Sequence, residues 1–243
     1  MMSRSGLMAA LSGVKGWLAP DEAWSLHRAA AALPAQGPIR VVEIGSWKGR
    51  STIALALGVR TRPAGGVVHA IDPHRGGAVH RFMDVEDTFD DFVTNIKRSG
   101  LTDVVDPIRA TSEVARARIP DHSVHLLFVD GSHEYRDVMR DVSLWRDSLA
   151  PGAKVAFHDC TAAGVAATLR KTALVSGSPF RRPTRVRELM WFDYRPGERW
   201  TRLDSVRART MHVRLEGRRA GLAARRRLRQ LARRAEVPLD EWG

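Results

Sequence analysis

At 243 residues, 44% of them hydrophobic, the chain can form one sizeable α/β domain, and it lacks the run of roughly 18 apolar residues that a membrane-spanning helix needs. The net charge of +12 does not by itself indicate a nucleic-acid partner, because residues 199–243 hold 13 arginines against 5 acidic residues, which leaves only +4 for residues 1–198. A single cysteine, Cys160, excludes an internal disulfide, and with no signal-peptide pattern at the N-terminus we expect a cytoplasmic protein.

The predicted elements begin with helices and then alternate. Residues 1–38 are expected to form N-terminal helices, with a break at Pro20 and a helix cap at Asp21. Over residues 39–198, short apolar runs alternate with helix-forming segments, which is the pattern of a parallel sheet with crossover helices. We therefore predict an α/β fold, a doubly wound Rossmann-like domain, with strands in the segments RVVEIG, GVVHAID, VVDPIRA, VHLLFVD and AKVAFHD. The helices between them are predicted in RSTIALALGV, TFDDFVTNIKRSG, EVARARI and YRDVMRDVSLWRDSLA.

The C-terminal third contains a further helix, a hairpin and a basic tail. The helix GVAATLRKTALV precedes FRRPTRV and ELMWFDY, two segments with strand character that could form a hairpin-like edge. Residues 199–243 have a helix-forming, arginine-rich composition, with leucines at 215, 222, 228 and 231 roughly on one side. This pattern favours a solvated or oligomer-packing helix over an anchor on an anionic surface, and we expect a homo-oligomer.

A glycine turn joins the first predicted strand to the helix after it. The turn reads E-x-G-x-x-x-G, with glycines at Gly45 and Gly49. A nicotinamide-binding fingerprint would need glycine where Trp47 and Arg50 stand, and no P-loop pattern occurs in the chain. The turn is therefore not one built to grip a pyrophosphate, although its backbone N–H groups could still face a polar ligand.

The second predicted strand adds an acidic group beside this turn. Asp72 ends that strand, where a carboxylate can accept both hydroxyls of a ribose, although it could instead cap a local turn. A ribose-binding acid without a pyrophosphate grip indicates a nucleoside such as S-adenosylmethionine (SAM). In this interpretation Glu43, Gly45, Ser51 and Asp72 hold the cofactor.

Two later strands end in acidic and histidine residues. FVDGSHEY supplies Asp130 and His133, and AFHDC supplies His158 and Asp159. Ligands bind beyond the carboxyl ends of parallel strands, so these side chains are expected to meet beside the cofactor. Carboxylates suit Mg²⁺, which can acidify a hydroxyl, and a histidine can accept its proton. We predict Asp130 and Asp159 as metal ligands and His133 as the catalytic base.

Each of these residues also has a purely structural alternative. Asp130 or the neighbouring Ser132 could cap the helix that follows, and Asp159 could cap the next one. His133 could be a surface histidine, and His158 could be packed without touching a ligand. The functional interpretation depends on the four residues meeting at adjacent strand ends, which capping alone would not require.

The motifs VVEIGSWKGRST, AIDPH, FVDGSHEY and LAPGAKVAFHD occur in this order between about Gly16 and Arg195. On these motifs the chain resembles class I SAM-dependent methyltransferases. Within them it is similar to the macrocin and mycinamicin sugar O-methyltransferases and the cephalosporin-cluster methyltransferase-like proteins. The resemblance implies a seven-stranded sheet with a reversed last strand, covers about three quarters of the chain and says nothing about the arginine-rich tail.

The resemblance also implies roles for individual residues. The aspartate of D-G-x-H would bind the metal and its histidine would be the base, which here are Asp130 and His133. A second pair of acidic ligands falls on His158 and Asp159, and the histidine departs from the family pattern, which admits Mn²⁺ beside Mg²⁺. Ser112 falls where the family often contacts adenine, unless it caps a helix. The expected cofactor-binding residues are Glu43, Gly45, Ser51, Asp72, Ser112 and Asp130.

The sequence thus predicts three segments, the N-terminal helices (1–38), a SAM-binding domain (39–198) and a helical tail (199–243). The predicted activity is SAM- and metal-dependent methylation of a hydroxyl on a sugar, with an oligosaccharide or small-molecule acceptor. Three alternatives stay open: a catechol-like acceptor, RNA bound through the basic tail, and a non-catalytic homologue that keeps the fold. The retained aspartates and histidine argue against the last of these.

Overall fold

The computed structural model describes residues 2–34, 37–75 and 87–217. Two N-terminal helices precede a regular alternation of strands and helices, followed by a strand pair and a C-terminal helix. The elements are α1 (Arg4–Ala10), α2 (Pro20–Ala31), β1 (Ile39–Ile44), α3 (Arg50–Arg60), β2 (Gly66–Ile71), α4 (Phe89–Arg98), β3 (Val105–Ile108), α5 (Ser112–Arg116), β4 (Val124–Val129), α6 (Tyr135–Trp145), β5 (Leu149–Phe157), α7 (Ala163–Thr172), β6 (Phe180–Val186), β7 (Leu189–Tyr194) and α8 (202–217).

The strands form one seven-stranded sheet in the order β3-β2-β1-β4-β5-β7-β6. Strands β1 to β5 are parallel, while β7 runs antiparallel to both β5 and β6. The predicted doubly wound α/β fold with a reversed strand is confirmed. The strand order reverses between β1 and β4, and ligands of such sheets bind outside the carboxyl ends of the strands at this point.

Helices cover both faces of the sheet, and each face has its own hydrophobic cluster. One cluster packs helices α1, α2, α3 and α4 against the sheet, and its residues Leu26, Leu55 and Phe92 are fully buried. The other joins α5 to α8 to the opposite face and includes the fully buried Trp145 and Leu215. Strands buried on both sides explain why the sequence shows short, continuously apolar runs.

One predicted helix is too long. The segment from Tyr135 to Ala150 was expected to be helical throughout, but α6 ends at Trp145 and a short 3₁₀ turn leads into β5 at Leu149. Leu149 is fully buried and pairs with Val124 of β4. Pairing in the sheet therefore overrides the local helix-forming composition.

The basic tail begins as a helix packed against the sheet. Leu215 faces the core, as the leucine pattern predicts, whereas Leu222, Leu228 and Leu231 lie outside the described residues. In the described ranges, no helix has both the length and the apolar character needed to cross a membrane. The division of the chain at residues 38 and 198 stays a prediction.

Candidate active site

The glycine turn after β1 is held between two neighbouring strand ends. The N–H of Gly45 donates to the carbonyl of Ile71 at the end of β2, at 2.8 Å. On the other side, a Cβ added at Gly45 would lie 2.3 Å from the carbonyl oxygen of Asp130, and the residue has a φ of +90°. Only glycine combines this backbone conformation with so close an approach of β4. The turn is thereby fixed directly beside the residues that follow β4.

Glu43 lies beneath this turn and is fully buried. Its Oε2 accepts a hydrogen bond from the hydroxyl of Thr52 in α3, and Ser51 also interacts with the carboxyl group. Burial raises the pKa of Glu43 to about 8, although these two hydroxyls favour the charged form. Among the described residues, Oε1 of Glu43 and the buried hydroxyl of Ser46 have no hydrogen-bond partner. The pair therefore offers unused polar atoms to a ligand at the turn.

Asp72 at the end of β2 is joined directly to the glycine turn. Its two carboxylate oxygens accept from the backbone N–H groups of Trp47, at 2.8 Å, and His74, at 2.7 Å. Trp47 has a φ of +43°, so Asp72 stabilises a turn conformation that is unusual for a residue other than glycine. The structure thus brings the predicted ribose-binding acid beside Gly45 and gives it a structural role in the turn.

Ser112 is the predicted cofactor residue with the most complete set of protein contacts. Its hydroxyl donates to Asp141 at 2.6 Å and accepts from the indole N–H of Trp145 at 2.8 Å, so it connects α5 with α6. The helix cap that sequence analysis allowed for it belongs instead to Thr111, whose side chain accepts from the N–H of Val114. Contact of Ser112 with adenine stays a prediction.

The four residues of the predicted acidic and histidine cluster do meet at the ends of β4 and β5. Nε2 of His133 lies 3.0 Å from Oδ2 of Asp159. Nδ1 of His158 lies 3.2 Å from Oδ1 of Asp130 and 3.4 Å from Oδ2 of Asp159. Asp159 has a φ of +47°, an infrequent backbone conformation that turns its carboxylate into this group after β5.

His158 is the buried centre of this network. It is 6% exposed, and its Nε2 lies 3.3 Å from Oε2 of Glu22, so carboxylates face both ring nitrogens. Burial alone would lower its pKa, but the carboxylates of Asp130, Asp159 and Glu22 together raise the pKa of His158 to about 12. Hydrogen bonds from His133 and His158 in turn lower the pKa of Asp159. His158 therefore acts as a fixed positive charge between acidic groups.

The group of candidate metal ligands in the structure differs from the predicted set by one residue. Among the described residues, Asp130, His133 and Asp159 bring one ligand atom each within 4.8 Å of one another and could hold a metal ion. His158 was predicted as a ligand together with the two aspartates, but the group that the structure forms has His133 in its place; His158 is buried, and both of its nitrogens face carboxylates. Its geometry favours a role in orienting the two aspartates.

Glu22 is the member of the site that the sequence did not indicate. It is 2% exposed in α2, and it accepts from the N–H groups of Ala19 and Glu188, each at 2.8 Å. Burial would raise its pKa, but the hydrogen bond with His158 and these two N–H groups outweigh it, so the pKa of Glu22 is lowered. Because Glu22 and His158 are 136 positions apart, no local motif connects them.

We expect Glu22→Ala to reduce the free energy of unfolding of the metal-free protein by ~3–5 kcal/mol, because it removes one partner of a buried ion pair. Glu22→Gln should cost less, since its single amide oxygen can still accept from one of the two N–H groups, that of Ala19 or that of Glu188. Urea denaturation in EDTA measures the difference. The matched control is Asp21→Ala, which removes a carboxylate paired with Arg4 at the surface and should cost at most about 1 kcal/mol. Equal losses at positions 21 and 22 would contradict a buried ion pair.

The network also predicts an unusual titration. The ring of His158 in the metal-free protein should stay protonated well above pH 8, whereas an unpaired histidine titrates near pH 6.5. Because its folded pKa lies above its unfolded value, its stabilising effect is complete below about pH 6.5 and is lost as the pH rises towards its folded pKa of about 12. Ring ¹⁵N shifts report the protonation state directly. A midpoint near pH 6.5 would show that the carboxylates do not act on this ring.

Comparison with known proteins agrees with this architecture. Residues 42–160 match the model of a methyltransferase domain family. The protein y4gI of Sinorhizobium fredii is 29% identical over 151 residues, a match that covers 58% of this chain and 15% of that protein. The chain therefore spans only a small part of the length of this curated relative.

Solved structures share the fold across most of the chain. A protein of Corynebacterium glutamicum has a TM-score of 0.60 at 13% identity, over 82% of this chain and 93% of that one. The O-methyltransferase TomG of Streptomyces achromogenes, involved in tomaymycin synthesis and solved with SAM, has a TM-score of 0.55 at 15% identity, over 78% and 89%. An O-methyltransferase of Bacillus cereus solved with SAH has a TM-score of 0.52 at 17% identity, over 78% and 90%.

Proposed function

We propose that this chain, whose residues 42–160 match a methyltransferase domain family, is a SAM-dependent O-methyltransferase that methylates a hydroxyl of a sugar with the help of a divalent cation. The observation that supports this most directly is the contact between the glycine turn and the strand end that begins the acidic cluster. A Cβ at Gly45 would touch the backbone of Asp130, so a cofactor held by the turn would lie next to Asp130, His133 and Asp159. In this proposal the cofactor site and the site that accepts the proton are therefore adjacent.

The residues around the turn fit a nucleoside cofactor. Glu43 and Ser46 present buried polar atoms that have no hydrogen-bond partner among the described residues, and Gly45 lets the turn lie directly against the backbone of Asp130. Asp72 would bind the ribose hydroxyls, because each of its carboxylate oxygens has one backbone donor and can accept a second hydrogen bond. Ser51, Ser112 and Asp130 complete the proposed set. A bound SAM would supply the electrophilic methyl group, which an acceptor oxygen attacks in line.

The donor set fits a hard or borderline divalent cation. Asp130 and Asp159 offer the oxygen ligands that Mg²⁺ prefers, and the nearby nitrogen of His133 also admits Mn²⁺. A cation held here would lower the pKa of an acceptor hydroxyl. His158 and Glu22 would support the site from behind, because their buried charges fix the orientation of the aspartates.

Proton transfer is assigned to His133. When Nε2–H of His133 donates to Asp159, the other ring nitrogen, Nδ1, is left to accept the acceptor's proton. The hydrogen bond with Asp159 has the largest effect on the pKa of His133 and raises it. The higher pKa makes the imidazole a stronger base. Asp159 thereby orients the ring and stabilises the imidazolium that forms.

The N-terminal segment supplies a wall beside the turn. The guanidinium of Arg50, at the start of α3, donates to the carbonyls of Leu11, Val14 and Leu18 and so ties residues 11–18 to the cofactor helix. The ring of Trp17 packs 4.6 Å from that of Trp47 in the turn. Trp17 is 59% exposed, and an exposed aromatic face beside a methyl-transfer site suits stacking against a sugar ring.

A sugar is proposed as the acceptor because the motifs around Asp130 and Asp159 resemble those of sugar O-methyltransferases. The test is transfer from methyl-labelled SAM to mannose and glucose oligosaccharides, a glycosylated macrolide, a catechol and bulk tRNA. Each acceptor is incubated with Mg²⁺, with Mn²⁺ and with EDTA. Binding of SAH is measured in parallel by calorimetry, so that loss of the cofactor site and absence of the right acceptor can be told apart.

Transfer to a sugar that EDTA abolishes and a metal restores would support the proposal. Transfer to the catechol alone would replace the sugar with a phenol as the acceptor class, while the metal site and the catalytic base would stay as proposed. EDTA-insensitive transfer to tRNA would overturn both the acceptor and the metal. Failure to bind SAH would overturn the cofactor assignment itself.

A further inference from the structure

Helix α8 has two apolar faces, and only one of them is packed. The inner face, which includes Ala208, Met211 and Leu215, is buried against the sheet. The outer face carries Leu203, Val206 and Val213, which are 56%, 59% and 67% exposed. Residues at these spacings fall on one side of a helix, so the three exposed side chains form a stripe along α8, with Thr210 between Val206 and Val213.

Arginines border this outer stripe on both sides. At 100° per residue, Arg202 and Arg209 project along one edge of the stripe and Arg207 and Arg214 along the other. None of the four forms an ion pair with another residue in the described ranges, and all are exposed. The acidic residues of α8 already have partners among the described residues, since Asp204 pairs with Arg181 and Glu216 lies beside His212 of the same helix.

A groove opens along one edge of the stripe, between α8 and β6. Its volume is about 300 Å³, and its lining combines apolar side chains, such as those of Val206 and Met211, with the arginines Arg207 and Arg214. Guanidinium groups beside an aliphatic floor suit a group with an anionic head and an apolar tail.

This arrangement distinguishes between three occupants. A nucleic acid would use the arginines but leave the aliphatic stripe without a partner, and the tryptophan before the helix, Trp200, is packed by its hydrogen bond to Ser178 and by Arg181. A second copy would bring a second set of four arginines against the first, which like-charge repulsion opposes. An anionic bilayer satisfies both features, since apolar side chains enter the acyl boundary while arginines contact the headgroups.

We infer that the outer face of α8 binds the surface of a membrane that contains anionic lipids. The helix lies in the plane of the interface with Leu203, Val206 and Val213 inserted and its arginines on phosphate groups. The sequence after α8 adds to the attraction, because residues 218–243 hold eight of the chain's 34 arginines against three acidic residues. The inference does not depend on the proposed acceptor. Helix α8 lies beside β6 at the edge of the sheet, whereas the acceptor is proposed to bind at the ends of β4 and β5.

Co-sedimentation of the full chain with vesicles tests the inference. Vesicles of phosphatidylcholine with phosphatidylglycerol should bind the protein, and binding should weaken strongly at high sodium chloride, whereas phosphatidylcholine alone should bind little. The double variant Arg207→Ala/Arg214→Ala should weaken binding about 30-fold, since each arginine near an anionic surface contributes about a sixfold factor. Val206→Asp/Val213→Asp should weaken it at least as much, because it places charges where aliphatic groups insert.

Matched controls test whether an effect on vesicle binding is specific to the outer face of α8 or follows from any loss of exposed charge or apolar surface. Val114→Asp changes a valine that is 65% exposed on another helix, and Arg28→Ala/Arg98→Ala removes two exposed arginines elsewhere. Both should bind vesicles as the wild type does, and thermal unfolding should show that all variants are folded. Vesicle binding that the α8 variants leave intact would overturn the inference. So would dimerisation that Val206→Asp/Val213→Asp abolishes, or binding to RNA in place of vesicles.

Discussion

Replacing His133 with alanine should lower the rate of methyl transfer by about 10²- to 10⁴-fold at saturating acceptor, while affinity for SAH is unchanged. The reason is local. The ring is held by Asp159 at 3.0 Å and is assigned to take the acceptor's proton, so its removal leaves only solvent to accept that proton. Backbone and cofactor contacts are not altered, because none of the residues proposed for the nucleoside bonds to His133 in the described structure.

The same variant decides between two roles for His133. The ring lies close enough to Asp130 and Asp159 to be a metal ligand instead of a base. If it is the base, His133→Ala should bind Mn²⁺ as tightly as the wild type does. The variant should also lose the rise in activity with increasing pH that an essential base produces. If it is a ligand, metal affinity should fall about 10- to 100-fold, and added metal should restore part of the activity.

His212→Ala is the matched control for this experiment. Its side chain is 38% exposed, against 39% for His133, and it also faces a carboxylate, that of Glu216 at 3.3 Å. It lies in α8, away from the strand ends that hold the cluster, so transfer to a soluble acceptor should be unaffected. Unchanged activity in His133→Ala would remove the base assignment, and equal losses in both variants would indicate a general effect on folding.

The parts of this site that the sequence predicted are those defined by one strand and the residues directly after it. Glu43 lies near the end of β1. Gly45 follows β1, Asp72 follows β2 and Asp130 follows β4, and parallel strands bring such ends to one edge of the sheet. The same logic brought His133 and Asp159 together. Short apolar runs between helix-forming segments were sufficient for this, because burial on both faces leaves a strong pattern.

The division of roles within the cluster could not be predicted in the same way. His158 stands next to Asp159 in the sequence, and spacing alone cannot tell which of two adjacent side chains points into the protein. Its burial depends on Glu22, which a helix more than a hundred residues earlier brings to its ring. Ser112 shows the same limit, since its partners Asp141 and Trp145 lie on the facing helix α6. Contacts between distant elements leave no local signal.

The second large effect is expected at the glycine turn. Gly45→Ala should destabilise the protein by about 3 kcal/mol or more and abolish binding of SAH. An alanine at a φ of +90° is strained by about 1–2 kcal/mol. Its Cβ would also lie 2.3 Å from the carbonyl oxygen of Asp130, and both groups belong to backbone that cannot move independently. The β1–β4 contact, including the hydrogen bond from Asp130 N–H to Ile44, must then open.

Gly65→Ala isolates the contribution of the close approach. Gly65 also has a positive φ, +65°, but an added Cβ there would have no atom of the described residues within 4 Å, so the variant carries the backbone strain without the clash. We expect it to lose about 1 kcal/mol and to bind SAH normally. Urea denaturation and calorimetry with SAH measure both quantities. If Gly45→Ala matched Gly65→Ala in stability and bound SAH, the turn would tolerate a side chain against Asp130. The cofactor and the acidic cluster would then not be held together by this contact, which is the observation that supports the proposed function most directly.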